Sequence, residues 1–112
     1  MSLTALRELG VNDNLLSSLP QEIGRLPVLQ KLGLGNNQIT ELPDEIWGLT
    51  TLRALYLGYN QLTHLSSRIG ALTRLQVLSL AGNQLTLLPS RIGRLTELRG
   101  LNLSHNRLIS LP

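Results

Sequence analysis

The chain has 112 residues, enough for one modest domain, and its 42% of hydrophobic residues is sufficient for a packed core. Aromatic residues make up only 3% and Phe is absent, so Leu and Ile must fill that core. The absence of Cys excludes disulfides and thiolate sites. The net charge of +3 is not gathered into any Lys/Arg tract, which argues against nucleic acid as a partner.

Charge and hydropathy along the chain also bear on its location. Residues 1–46 carry six acids and three bases, whereas residues 47–112 carry one acid and seven bases. The two ends of the molecule should therefore carry net charges of opposite sign. The first residues lack the features of a signal peptide, and no apolar stretch approaches membrane-spanning length. We therefore expect a cytoplasmic protein without membrane contact.

The first element of the chain recurs at a fixed period of 23 residues. Each copy has the form Leu-x-x-Leu-x-x-Leu-x-Leu-x-x-Asn, with Val11 in place of the last Leu in the first copy. Its alternating apolar positions predict a short strand with one buried face. Because such strands lie too far apart in sequence for hairpins, they should be parallel. The units of one domain, residues 1–112, are 3–25, 26–48, 49–71, 72–94 and a partial 95–112.

The second element of each unit has the form Pro-x-x-Ile-Gly and predicts a short helical or 3₁₀ turn. Pro suits its first position and Gly its end. Two departures stand out: Ser66 replaces Pro in the third unit, and Trp47 replaces Gly in the second. We expect Trp47 to cover core on this side of the molecule.

A column of asparagines follows the strands at the same period. An amide offers both a donor and an acceptor, which suits the main-chain groups left inside the coil where the chain turns. We therefore assign these residues a structural role and no catalytic one. The column consists of Asn14, Asn37, Asn60, Asn83 and Asn106.

These in-phase copies resemble the leucine-rich repeat family in its 23-residue intracellular form, LxxLxLxxNxLtxLPxxIgxL, which occurs in Ras-pathway scaffolds and Roco-type GTPases. The resemblance covers the whole chain. It implies an α/β leucine-rich-repeat solenoid, a right-handed superhelix with parallel strands on its concave face and short helical or 3₁₀ segments on its convex face. It also implies a protein-binding function rather than catalysis.

No constellation of residues predicts an enzyme, a metal site or a cofactor site. His64 and His105 lack metal-ligand spacing to other ligands. Residues 33–37 contain two glycines but no third one for a nucleotide-binding pattern. Asp44 and Glu45 are better explained by the preference of a helix start for negative charge than by acid/base work.

The candidate partner-binding residues are those that point outward from the strands or follow them on the concave face. Both tyrosines, Tyr56 and Tyr59, fall in the central unit with small neighbours, so their rings should stand above a low surface as interface anchors do. The alternative is that they are incidental strand residues of good β propensity. The candidates are Lys31, Asn36, Tyr56, Tyr59, Ser79, Asn102 and His105.

The leading functional prediction is a module that binds an unidentified protein, as a fragment or short member of a larger scaffold or signalling protein. Five strands make a face only about 20 Å wide. The area of such a face is smaller than the roughly 800 Å² per partner of a standard interface. The alternative is a structural array that self-associates through uncapped end repeats of opposite charge.

Overall fold

The computed structural model describes residues 5–112 and contains one sheet of five parallel strands in chain order. Each strand has three residues, and each pairs in the same register with the next, so that residue n lies beside residue n + 23. The regular sequence period is therefore also the register of the sheet. The strands are β1 Glu8–Gly10, β2 Lys31–Gly33, β3 Ala54–Tyr56, β4 Val77–Ser79 and β5 Gly100–Asn102.

Four 3₁₀ helices alternate with the strands and lie on the opposite side of each coil. Each begins one residue after the conserved proline, or after Ser66 in the third coil, so the proline precedes the helix instead of occupying its first position. Ser66 accepts a hydrogen bond at Oγ from the Arg68 amide at 3.1 Å. Only the second helix ends at a glycine. The helices are η1 Gln21–Arg25, η2 Asp44–Gly48, η3 Ser67–Ala71 and η4 Ser90–Arg94.

The core runs through the middle of the solenoid and is made of Leu and Ile with one aromatic side chain. The central strand residues Leu32, Leu55 and Leu78 are fully buried, as the alternation of the strands predicted. Trp47 is also buried in this core, as we expected. Leu101, the equivalent of these strand leucines on the last coil, is less well covered and 42% exposed.

The asparagine column links neighbouring coils through their main chains. The Asn60 amide donates to Leu34 O and Leu57 O, and its Oδ1 accepts from the Ile39 amide, so it joins its own coil to the preceding one. Asn37 and Asn83 repeat this pattern and are buried like Asn60. The interior asparagines therefore have the predicted structural arrangement.

The first member of the column differs from the interior ones. Asn14 is exposed and donates only within its own coil, to Val11 O and Asn12 O at 2.9 and 3.0 Å. Asn14 thus binds main-chain groups of its own turn, as predicted, but joins no second coil, because among residues 5–112 none precedes it. Asn106, on the last coil, still donates to Leu80 O of the coil before it.

Candidate functional site on the strand face

The concave face is held in shape by main-chain hydrogen bonds that continue beyond the strands. The Tyr59 amide donates to Ala81 O at 2.7 Å, and the Asn36 amide donates to Gly58 O at 2.9 Å. These residues belong to a column in which the backbone is left-handed in every coil, with φ between 56° and 67°. Loop side chains on this face are therefore mounted on a rigid frame. The column consists of Asp13, Asn36, Tyr59, Gly82 and His105.

Tyr59 occupies an unusual place in this column, because bulky residues rarely adopt a positive φ. Its ring packs against Gly82 of the next coil, where a Cβ atom would lie 2.3 Å from Tyr59 Cδ1. The ring then reaches His105 two coils away, with centroids 6.4 Å apart and planes tilted by 39°. As the small neighbour predicted, Gly82 leaves a low surface, over which the ring lies. It remains 53% exposed.

Tyr56 and Lys31 lie together at two adjoining hollows of the concave face. The larger has a volume of about 440 Å³ and is floored by Ala54, Tyr56 and Val77. The smaller, of about 310 Å³, lies between Tyr56 and Gly10. Lys31 borders both and pairs with Glu8, with Nζ 3.3 Å from Oε1. Tyr56 is half-buried and, like Glu8 and Lys31, lines both spaces.

The other candidates are on the concave face but outside these hollows. Asn36 is exposed, whereas Ser79 is half-buried beside Gly58. Asn102 is directed into its own loop, since its Oδ1 accepts hydrogen bonds from the Ser104 amide at 3.1 Å and hydroxyl at 2.7 Å. The structure thus brings together two pairs, Tyr56 with Lys31 and Tyr59 with His105, and not one continuous cluster.

The sequence interpretation missed a column of long polar side chains that immediately precedes the strands. Four of its members line the larger hollow. The signal was present, since Arg and Gln alternate there at the repeat period, but a residue just before a strand is not assigned to either face by strand alternation. The column consists of Arg7, Gln30, Arg53, Gln76 and Arg99.

This surface offers charged, hydrogen-bonding and apolar side chains. Within residues 5–112, no group of three or more His, Asp or Glu side chains is placed to hold a metal ion. His64 Nδ1 lies at hydrogen-bond distance, 3.4 Å, from the hydroxyl of its neighbour Thr63. Asp44 and Glu45 lie in the first turn of η2, as the helix-start interpretation expects, and Asp44 Oδ2 also lies 3.7 Å from Arg68 Nη1.

A membrane span would require a long apolar helix, and the part of the chain described by the structure contains none. Every buried side-chain nitrogen or oxygen in that part has a hydrogen-bond partner. The polar groups of the interior are therefore used by the fold itself.

Comparisons with known proteins agree with this architecture. The chain is similar over 97% of its length to a leucine-rich repeat protein of Leptospira interrogans, with 42% identity and a TM-score of 0.94. It is similar over 96% of its length to an internalin of Listeria monocytogenes, with 32% identity and a TM-score of 0.83. It spans only 28% and 31% of those two chains. No match was found among the curated proteins.

The chain also matches a family model, which is direct evidence of family membership. Residues 1–107, nearly the whole chain, match the model of a leucine-rich repeat region. The five parallel strands, the 3₁₀ helices and the asparagine column are the structural counterparts of that match. The chain belongs to the leucine-rich repeat family.

Proposed function

We propose that this chain is a non-catalytic module that binds a partner protein on its concave strand face. The observation that carries the proposal is the position of Tyr56, which borders two adjoining hollows of about 440 and 310 Å³. A half-buried aromatic side chain between two depressions is the usual form of an interface anchor. The fold of the family supports a role in protein interaction.

The rigidity of the face favours the same function. Its loop column is fixed by hydrogen bonds between coils, so little ordering entropy opposes association. Tyr59 keeps a left-handed backbone that costs about 1–2 kcal/mol, although Asn or Gly would relieve it. Backbone strain of this kind clusters at functional surfaces, which favours a recognition role for the exposed Tyr59.

The small size of the face indicates how the module works. A width of about 20 Å suits either weak binding or a share in a larger surface. We propose that the chain acts in a cytoplasmic scaffold or signalling protein as part of a larger repeat array, or as a short relative of one. The subclass typical of Ras-pathway scaffolds and Roco-type GTPases remains part of this proposal.

The test is affinity capture from a native extract with Tyr56→Ala and Tyr59→Ala variants beside the unchanged chain. If Tyr56 is an anchor, its truncation weakens capture by about 2 kcal/mol, or roughly thirty-fold. Leu87→Ala is the matched control, because Leu87 is a large apolar side chain, 55% exposed, outside the strands. Equal capture by all variants would contradict binding at the concave face.

A second candidate function is self-assembly through the end coils. It is favoured by Leu101, which is 42% exposed although the equivalent Leu78 is fully buried. The opposite charges of residues 1–46 and 47–112 would support head-to-tail contact. Light scattering at low salt distinguishes the two, since self-assembly predicts a mass that rises with concentration and falls for Leu101→Glu.

A further inference from the structure

The column of residues that precedes the strands presents arginines at a regular spacing along one edge of the concave face. Arg7, Arg53 and Arg99 alternate with two glutamines, so arginines recur in every second coil. The carbonyl oxygen of Arg53 accepts two amide hydrogen bonds from the next coil, at 2.7 and 3.0 Å, and the same pattern holds at Arg7. The backbones are thus fixed at strand spacing, which places successive arginines about 10 Å apart.

These arginines are free to meet a partner's charge. All three are exposed. The ion pairs found in residues 5–112 are Glu8 with Lys31 and Asp44 with Arg68, so neither involves this column. Glu8, the acid that lines the larger hollow, already pairs with Lys31. The edge of the groove therefore has an excess of positive charge.

The groove beside the arginines has an apolar floor. The buried Ala54 and the half-buried Val77 and Tyr56 supply its apolar lining, and the exposed Arg7 and Arg53 border it. Its volume of about 440 Å³ is open to solvent and lies across several strands. The occupant must therefore be long, lie across the coils, and carry both acidic and apolar groups.

We propose that this groove binds an extended acidic protein segment in the polyproline II conformation, with carboxylates at every third residue; the inference rests on the proposed function of the concave face. A polyproline II helix rises about 3.1 Å per residue with three residues per turn, so its like-facing side chains recur about every 9.3 Å. That repeat matches the arginine spacing. A β-strand would present like-facing side chains only about 6.7 Å apart.

The contacts available in the groove suit both parts of such a segment. Arginine forms short, two-pronged hydrogen bonds with carboxylates. Arg7 and Arg53 line the groove and Arg99 continues the same column beyond it, so the three together would fix the register of the segment. The Tyr56 ring would pack against the apolar residues between the acids, as aromatic side chains do in grooves that recognise polyproline II. Charge selects the acids, and the fixed spacing selects the conformation.

The test is an NMR titration of the isotope-labelled chain with three nine-residue peptides. The first carries Glu at every third position and Pro elsewhere; the second has the same composition with the three Glu contiguous; the third has Lys in place of Glu. We expect shifts at Ala54, Tyr56 and Val77, and about five-fold stronger binding of the first peptide than of the second. The peptide with contiguous Glu can pair with one arginine instead of three, and the loss of two exposed ion pairs accounts for that ratio. The Lys peptide should not bind.

Two charge-reversal variants separate specific from general attraction. Arg53→Glu should abolish the preference for the spaced acidic peptide. Arg91→Glu changes the net charge equally but lies in η4 on the opposite side of the coil, so it should leave the preference intact. Equal binding of the two acidic peptides, or equal effects of the two variants, overturns the proposal.

The outcomes also separate this inference from the proposed function. If partner capture depends on Tyr56 but the chain does not prefer the spaced peptide, the concave site stands and the acidic segment is overturned. If the Tyr56 change leaves capture unaltered, the concave site itself is wrong. Groove shifts that depend on protein concentration without peptide would assign the groove to a second copy of the chain and overturn the proposal.

Discussion

The two sides of each coil are built by different means, and they vary to different degrees. On the strand side every pair of neighbours has the same register, because main-chain hydrogen bonds fix it. On the 3₁₀ side the approach of neighbouring coils depends on one side-chain position. At Gly24 a Cβ atom would lie 2.4 Å from Glu45 O, so η1 and η2 are in close contact.

The second coil shows what happens when that position is filled. Trp47 takes the place of glycine, and η2 and η3 pack less closely than η1 and η2 or η3 and η4. A hollow of about 130 Å³ lies beside Trp47, between the second and third coils. The strand side therefore keeps its register whatever its outward side chains. On the 3₁₀ side, a single substitution changes the spacing of the coils.

The largest expected effect comes from removal of the side chain that separates η2 from η3. Trp47→Ala should destabilise the chain by about 3–5 kcal/mol, because the lost burial is joined by a cavity. Trp47 is the only Trp, so urea unfolding is followed by circular dichroism instead of fluorescence. Trp47→Phe, which keeps a ring, is the milder control. A loss of unfolding free energy below about 1 kcal/mol would show that η2 and η3 move together to fill the cavity and pack as closely as η1 and η2 do.

An intermediate effect is expected on the strand side, at the asparagine column. Asn60→Ala should destabilise by roughly 1–3 kcal/mol, because Leu34 O and the Ile39 amide lose their buried partner. Asn14→Ala is the matched control, and its effect should stay within about 0.5 kcal/mol since Asn14 is exposed. Thermal or urea unfolding measures both. Equal losses would mean that bonds between coils are not what the column contributes.

The smallest expected effects differ in sign between two glycines of the same column. Gly24→Ala should destabilise by about 1–2 kcal/mol, since the new Cβ would meet Glu45 main chain. Gly93→Ala meets nothing within 4 Å and should stabilise by roughly 0.4–1 kcal/mol through the unfolded chain. Neither glycine has a positive φ. Unfolding midpoints that move in the same direction for both variants would refute contact between coils as the cause.

Much of the solenoid could be predicted because its repeating columns are local in sequence. The burial of Leu32, Leu55 and Leu78 follows from strand alternation, and the amide column follows from the unpaired main-chain groups of a tight turn. The placement of Tyr56 and Lys31 on the outward face follows from the same alternation, whereas their part in binding remains a prediction. The predicted division of residues 1–112 into five units also remains a prediction.

The finer geometry of the candidate site depends on contacts between coils. The position of the Tyr59 ring is decided by the gap at Gly82 and by His105, which are 23 and 46 residues away in sequence. Arg53 borders a hollow only because neighbouring coils supply Gln30, Gln76 and the floor. No local pattern could reveal either arrangement.

The repeat length, the buried face of each strand and the column of amides at the turns can all be derived from the sequence. These follow from short-range periodicity, which every coil repeats. The position of the Tyr59 ring, the residues that enclose the arginine-edged groove and the separation of two coils at Trp47 depend on the tertiary structure. The physical reason is that these features depend on side chains one or two coils away, whose sizes and backbone conformations act together only after stacking.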